Sequence, residues 1–299
     1  MTDIMDISEY DIKKNMRKKN LDKRKHIGRK KGAKKNDYGN RSNPSSKPFA
    51  NIYFDTQQYC NQHFNRRIKE QSICYDIHNI EQHDNVIGVY NDGEPVIEVQ
   101  NMDTLDAAEK LLNDNNSAKI LVLNMASDYK PGGGVASGKT AQEECIFRRT
   151  NAFMTHPEEW YPLESSDVIL SPSVTIVKDS YHQLLPQMDQ KNVGMIAVAA
   201  LRKPKLNGLA KYYYDEDRLL MSTKIESIFK IAIIQNFDTL VLGALGCGVF
   251  NNPPEEVAQI FKSMIITYGK HFKRIVFAVL CVKPKDYDNF RIFENILSS

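Results

Sequence analysis

Two kinds of apolar spacing alternate along the chain from Pro48 onward. Phe49, Ile52, Tyr53, Tyr59, Cys60 and Phe64 recur at helical intervals, which predicts a helix from Pro48 to about Lys69. Short runs rich in β-branched and aromatic residues follow at 72–78, 85–90 and 95–99, the last after the turn Asn91-Asp92-Gly93. A helix over 104–112 places Leu105, Ala108, Leu111 and Leu112 on one face. The uninterrupted apolar run 120–123 suits a central strand buried on both faces. Further on the spacing predicts a helix over 140–153, strands 167–170 and 174–177 flanking Pro172, and a strand over 193–200. A long helix over 216–236, a strand 240–245, a helix 254–267, a strand 275–282 and a last helix over 287–296 complete the series. Strands alternating with helices imply an α/β three-layer sandwich whose sheet is parallel or mixed. The chain shows no internal repeat.

Charge changes this picture at one end. Residues 1–50 hold 15 Lys and Arg against 6 Asp and Glu, a net of +9. The other 249 residues hold 25 against 31, a net of −6. Thirteen of the basic residues fall between Lys13 and Lys35 with one acid, Asp22, and no apolar stripe. We expect a disordered basic tail over 1–48 and one folded domain over 49–299. Such a tail has affinity for polyanions, nucleic acid among them, or serves nuclear import; as a bland alternative it aids solubility. The 299-residue chain has 41% hydrophobic residues, enough for a substantial core, which excludes a wholly disordered protein. There is no apolar run of membrane-spanning length and no apolar signal segment. The five cysteines are scattered without zinc spacing, so we expect reduced thiols, no metal site and an intracellular, cytoplasmic or nuclear monomer.

Chemistry concentrates at two glycine-rich turns, each after a buried strand. The first runs Ala126 to Val135 and contains Gly132, Gly133 and Gly134; the second runs Gly246-Cys247-Gly248-Val249-Phe250 to Pro253. Ligands of open α/β sheets bind beyond the carboxyl ends of strands. Glycines there leave backbone N–H groups open to an anion, and a following helix N-terminus favours phosphate. Neither turn has Rossmann or P-loop spacing. Two such turns at equivalent strand ends point to a diphosphate clamp. Asn252, Pro253 and Glu255 read as the capping box of the second helix, and Thr140 with Glu143 as that of the first.

Gln142, Glu143 and Glu144 follow the triple glycine. Neighbouring helical residues point about 100° apart, so the two acids are not expected to face one bond. Glu144 is the candidate general acid, since a carboxyl partly removed from water beside a sugar can protonate a leaving oxygen. The bland alternative is a solvated helix face. Among other residues, His182 and His271 read as satisfied surface histidines. Cys247 needs no nucleophilic role, Arg148 or Arg149 is expected to pair with a carboxylate, and Tyr212, Tyr213 and Tyr214 to pack as a loop on the body, with stacking on adenine as the alternative.

The stretch PGGGVASGKTAQEE resembles the signature of the poly(ADP-ribose) glycohydrolases, three glycines, a spacer and Gln-Glu-Glu. LNMAS, FRRTNAF and GALGCGVFNNPPEEVAQIF are similar to the microbial-type branch, with SPSVTIVKD and IAVAALRKP between the loops in the family order, so the resemblance covers about residues 65–299. It implies a macrodomain-like mixed sheet between helices and hydrolysis of ribose–ribose O-glycosidic bonds from chain ends, without a cofactor. Glu144 matches the catalytic acid and Glu143 the residue holding the ribose hydroxyls. Gly132, Gly133, Gly134, Val135 and Gln142 match the catalytic-loop side of the ligand site. Gly246, Cys247, Gly248, Val249 and Phe250 match the diphosphate loop. The partners it implies are poly(ADP-ribose), ADP-ribose and ADP-ribosylated proteins, in reversal of ADP-ribosylation and the DNA damage response. Leu245 departs from the Trp frequent in the branch, and Asp128-Tyr129-Lys130 is an unusual approach to the glycines. Two other readings compete: a macrodomain that binds ADP-ribose without cleaving it, and a hydrolase of mono-ADP-ribose marks on protein or nucleic acid.

Overall fold

The computed structural model describes residues 48–83, 93–282 and 284–298. The basic tail, its linker and the strand expected at 85–90 lie outside the described residues. The described residues form one compact unit. In chain order its elements are α1 (Pro48–His63), β1 (Ile73–Asp76), β2 (Val96–Gln100), α2 (Thr104–Asp114), β3 (Ile120–Met125), α3 (Gln142–Arg149), β4 (Asp167–Ile176), β5 (Lys191–Val198), α4 (Asp215–Ile234), β6 (Thr239–Leu242), α5 (Pro254–Tyr268), β7 (Arg274–Ala278) and α6 (Pro284–Leu297).

The strands form one seven-stranded sheet in the order β1-β4-β5-β3-β6-β7-β2. β4 pairs antiparallel with both β1 and β5, and every other pairing is parallel. The sheet is therefore mixed, as the alternation of elements predicts. Alternation within the strands builds two cores. Ile120 and Val122 of β3 face Leu105, Ala108 and Leu111 of α2 and Ile146 and Phe147 of α3. Leu121 and Leu123 face Ile225, Ile228 and Phe229 of α4 and Val257 and Phe261 of α5. All four β3 residues are essentially inaccessible, which is why this segment reads as an unbroken apolar run.

Several boundaries shift from the sequence expectation. The first helix stops at His63, and Arg66–Gln71 is a separate 3₁₀ turn capped by Asn65. The helix expected over 140–153 spans only 142–149, followed by a 3₁₀ turn at Ala152–Met154. The two strands around Pro172 are one, β4, with a register shift between Ser171 and Val174 that absorbs the proline. β5, β6 and β7 end earlier than expected, so the apolar residues after them form loop walls.

Neither capping box forms. Helix α3 begins after Ala141 and α5 after Pro253, both without a side-chain cap. Asn252 is buried and used elsewhere: its Oδ1 accepts from the Tyr212 hydroxyl at 2.9 Å, and its Nδ2 donates to the Leu201 carbonyl at 2.7 Å and the Gly246 carbonyl at 3.2 Å. It ties the second glycine turn to the segment following β5.

Candidate active site

The carboxyl ends of β3, β5 and β6 lie side by side, and the two glycine turns leave the sheet from β3 and β6. Helix α3 is held against the end of β3 by Gln142. Its Oε1 accepts from the Met125 N–H at 2.9 Å; its Nε2 donates to the Leu123 carbonyl at 2.7 Å and to Thr104 Oγ1 at 3.2 Å. The carboxamide assigned to the ligand by resemblance thus grips the strand, and it fixes where the next two residues sit.

Those residues both turn back onto the glycine loop. Glu143 Oε2 accepts from the Ser127 N–H at 2.8 Å and its Oε1 from the Gly132 N–H at 3.1 Å. Glu144 Oε1 accepts from the Gly134 N–H at 2.9 Å. Glu144 Oε2 is buried and has no hydrogen-bond partner among the described residues. A Cβ placed on Gly133, whose φ is +51°, would lie 2.9 Å from Glu143 Oε2 and 2.9 Å from Glu144 Oε1. The two carboxyls converge on one backbone position, against the sequence expectation that they diverge. The angular argument fails because the loop wraps around the first turn of α3, so side chains leaving the helix in different directions both meet it. Only glycine fits there, on steric and on conformational grounds.

Burial pushes the Glu143 carboxyl up to about 8, with the Glu144 charge adding to the rise and the Ser127 and Gly132 N–H donors opposing it. An acid whose pKa is higher folded than unfolded stabilises the fold less as pH rises between the two values. Wild-type stability should fall from about pH 5 to pH 8, by on the order of a few kcal/mol. Thermal melts across that range test this: the slope should flatten in Glu143→Gln, and an unchanged slope would place the titration elsewhere.

Sequence reasoning missed Asn124 and Tyr161. Asn124, in β3, is fully buried and lies close enough to Glu143 to lower its pKa, yet among the described residues neither amide atom has a partner of good hydrogen-bond geometry. The Tyr161 hydroxyl is likewise buried without a partner among the described residues, within the field of Glu143. Buried polar groups left open beside a carboxyl pair mark a site that awaits polar ligand atoms. Nothing in the spacing around either residue signals this, since contact comes from the sheet and from a distant loop.

The second turn is built to present N–H groups. Gly246 has φ +74°, and a Cβ there would lie 2.5 Å from both Ala200 Cβ and Asn252 Nδ2. Among the described residues, the N–H groups of Gly246, Gly248, Val249 and Phe250 donate to no protein acceptor. Gly248 and Val249 are exposed and Cys247 half-buried; burial raises the Cys247 thiol, so it is not poised as a nucleophile. A bridge joins the two turns: Asp128 pairs with Arg202, whose guanidinium carbon lies 4.2 Å from the Phe250 ring centroid. Leu245, at the position where Trp is frequent in the resembled branch, is fully buried.

The other residues weighed from sequence fall outside this constellation. Arg149 is buried and pairs with Asp103, Asp106 and Glu109 of the α2 region. Arg148 donates to the Lys139 carbonyl at 2.6 Å and approaches His182. Tyr212 packs into the body, whereas Tyr213 and Tyr214 are exposed. No helix among the described residues is long and apolar enough to cross a membrane.

Residues 52–179, which include the triple glycine and both acids, match the family model of the microbial-type PARG catalytic domain. Over this segment the chain is similar to the microbial-type PARGs. The fold agrees. A poly(ADP-ribose) glycohydrolase (PARG) from Thermomonospora curvata superposes with a TM-score of 0.74 at 23% identity, covering 83% of this chain and 98% of that one. The same enzyme bound to the inhibitor ADP-HPD gives 0.70 at 24%, covering 82% and 98%. A PARG from Deinococcus radiodurans in complex with ADP-ribose gives 0.64 at 26%, covering 77% and 95%. Curated protein sequences yield no match. The second glycine turn lies outside the matched segment.

Proposed function

We propose that this chain hydrolyses ribose–ribose O-glycosidic bonds in poly(ADP-ribose), releasing ADP-ribose from chain ends with Glu144 as general acid and base. The observation that carries this is the convergence of two buried carboxyls on Gly133, with Glu144 Oε2 unpartnered. The match of residues 52–179 to the microbial-type PARG catalytic domain and the ADP-ribose and ADP-HPD complexes of the similar structures support the substrate class.

In this reading the open N–H groups of Gly246, Gly248, Val249 and Phe250 take the diphosphate, and the terminal ribose lies against Gly132, Gly133, Gly134 and Val135. Glu143, anchored by two backbone donors, accepts the ribose hydroxyls. Glu144 is anchored through Oε1 alone, which leaves Oε2 for proton transfer. It protonates the departing ribose oxygen as the C1–O bond breaks through an oxocarbenium-like transition state. It then takes a proton from the water that attacks C1, which restores the acid. Clamping the diphosphate positions the sugar and lowers the entropic part of the barrier.

A reader module has no use for a buried, one-point-anchored acid, and this favours the enzyme over the non-catalytic alternative. Labelled polymer incubated with the protein, with free ADP-ribose followed over time, tests the reading. Tight ADP-ribose binding without release would make it a reader, and release from mono-modified protein alone would make it a hydrolase of single marks.

The catalytic domain in this proposal is residues 49–299, and the basic head 1–48 steers polyanionic substrate towards it. Replacing the 13 Lys and Arg of residues 13–35 by Gln should weaken polymer affinity and flatten its salt dependence. Unchanged salt dependence would remove the steering role.

A further inference from the structure

The segment 201–214 between β5 and α4 carries Arg202, Lys203, Lys205 and Lys211 and no acid, in a body whose net charge is −6. It is a built surface. Leu206 and Tyr212 form an antiparallel bridge, the Asn207 N–H donates to the Lys211 carbonyl at 2.9 Å, and the Tyr213 N–H to the Lys205 carbonyl at 2.9 Å. Asn207 Oδ1 accepts from the N–H groups of Leu209 and Lys211, closing the turn. The buried Tyr212 anchors it through Asn252, which also holds the second glycine turn.

On this hairpin two aromatic rings face outward. Tyr213 and Tyr214 are about half exposed and pack edge to face at 4.8 Å. Lys205 Nζ lies 3.7 Å from the Tyr213 ring centroid and 5.7 Å from that of Tyr214. Among the described residues neither Lys203 nor Lys205 takes part in an ion pair, and both are exposed. The surface is continuous with the candidate active site: the Lys203 N–H donates to the Phe250 carbonyl at 2.7 Å, and Arg202 bridges Phe250 and Asp128.

Exposed aromatic rings interleaved with unpaired lysines are the chemistry that takes a base and a phosphate together. We propose that the 201–214 hairpin is an outer subsite for a neighbouring ADP-ribose unit of the same polymer, with Tyr213 and Tyr214 stacking its adenine and Lys203 and Lys205 meeting its diphosphate. This rests on the glycohydrolase reading above and extends it from the terminal unit to the chain behind it. Continuity with the cleft favours the polymer over a separate nucleic acid, because a ligand held in the cleft presents its next unit at high local concentration.

The test compares full-length wild type with the triple variant Lys205→Ala, Tyr213→Ala, Tyr214→Ala in affinity for free ADP-ribose, which fills the cleft alone, and in hydrolysis of long polymer. The variant should raise KM for long polymer about tenfold and leave the Kd for free ADP-ribose unchanged. The variant Tyr213→Phe, Tyr214→Phe should behave as wild type, since stacking needs the ring and not the hydroxyl. Equal losses for free ADP-ribose and polymer, or no effect on either, would overturn the subsite. So would a single-stranded oligonucleotide that competes as well as polymer and loses affinity equally in the variant, which would make the surface a nucleic-acid binder. Failure of wild type to cleave the polymer would count against the glycohydrolase reading itself; polymer binding by wild type and variant would then still decide the surface.

Discussion

Glu144→Gln should lose ADP-ribose release almost completely, with kcat lower by about 10²–10⁴-fold, the usual contribution of a general acid–base group. That range corresponds to about 3–5 kcal/mol of transition-state stabilisation. The substitution is nearly isosteric, and the amide oxygen can still accept the Gly134 N–H bond that Glu144 Oε1 receives at 2.9 Å. Ligand affinity should therefore change little, and the loss should fall on kcat. Calorimetric titration with ADP-ribose beside a release assay separates the two. Undiminished release by the variant would mean that the proton comes from another group, of which Glu143 is the nearest. Loss of affinity together with rate would mean that Glu144 holds the ligand.

What could be read from the sequence follows from how local each signal is. The buried strand 120–125, the glycine turns after β3 and β6 and the acid pair are runs of neighbouring residues, and their chemistry does not depend on distant contacts. The direction of the acids does. A helical wheel separates Glu143 from Glu144, but it holds no information about a loop that wraps around the helix start and supplies N–H donors from Ser127, Gly132 and Gly134. The capping boxes failed for a related reason. Thr140 and Asn252 stand at suitable spacings, yet α3 and α5 start one or more residues later, and Asn252 is bound by Tyr212, Leu201 and Gly246. Asn124, Tyr161 and Arg202 enter the site from a strand interior, a 3₁₀ turn and a crossover, positions with no signature in a single sequence. Arg149 shows the middle case: a carboxylate partner is a fair expectation for a basic residue beside acids, but its partners sit some 40 positions earlier in the chain and not in the acid pair next to it.

Arg149→Met should destabilise the fold more than any substitution at the surface. The Arg149 side chain is 1% exposed and lies 2.7 Å from Asp103, 2.7 Å from Asp106 and 2.9 Å from Glu109, with its Nε donating to the Lys178 carbonyl at 3.1 Å. Removing the guanidinium leaves three acids facing one another and a buried carbonyl without its donor. Breaking a buried ion pair by deleting one partner costs about 3–5 kcal/mol, mostly through the uncompensated charge that remains. For a domain of this size that lowers Tm by roughly 6–20 °C. The sign of its pH dependence identifies the cause. Burial already raises the Glu109 carboxyl against the opposing Arg149 charge, so without the guanidinium it rises further and protonation relieves the cluster. The gap between variant and wild type should therefore narrow as pH falls from about 7 towards 5. Arg149→Lys keeps the charge but not the fork that reaches several acids, and should lie between the two. Because α3 ends at Arg149 and begins with the acid pair, activity in Arg149→Met should be lost along the thermal melt and be near wild type well below it. A melt within a degree of wild type would show that the three acids find other partners and that this hub does not hold α3 in place.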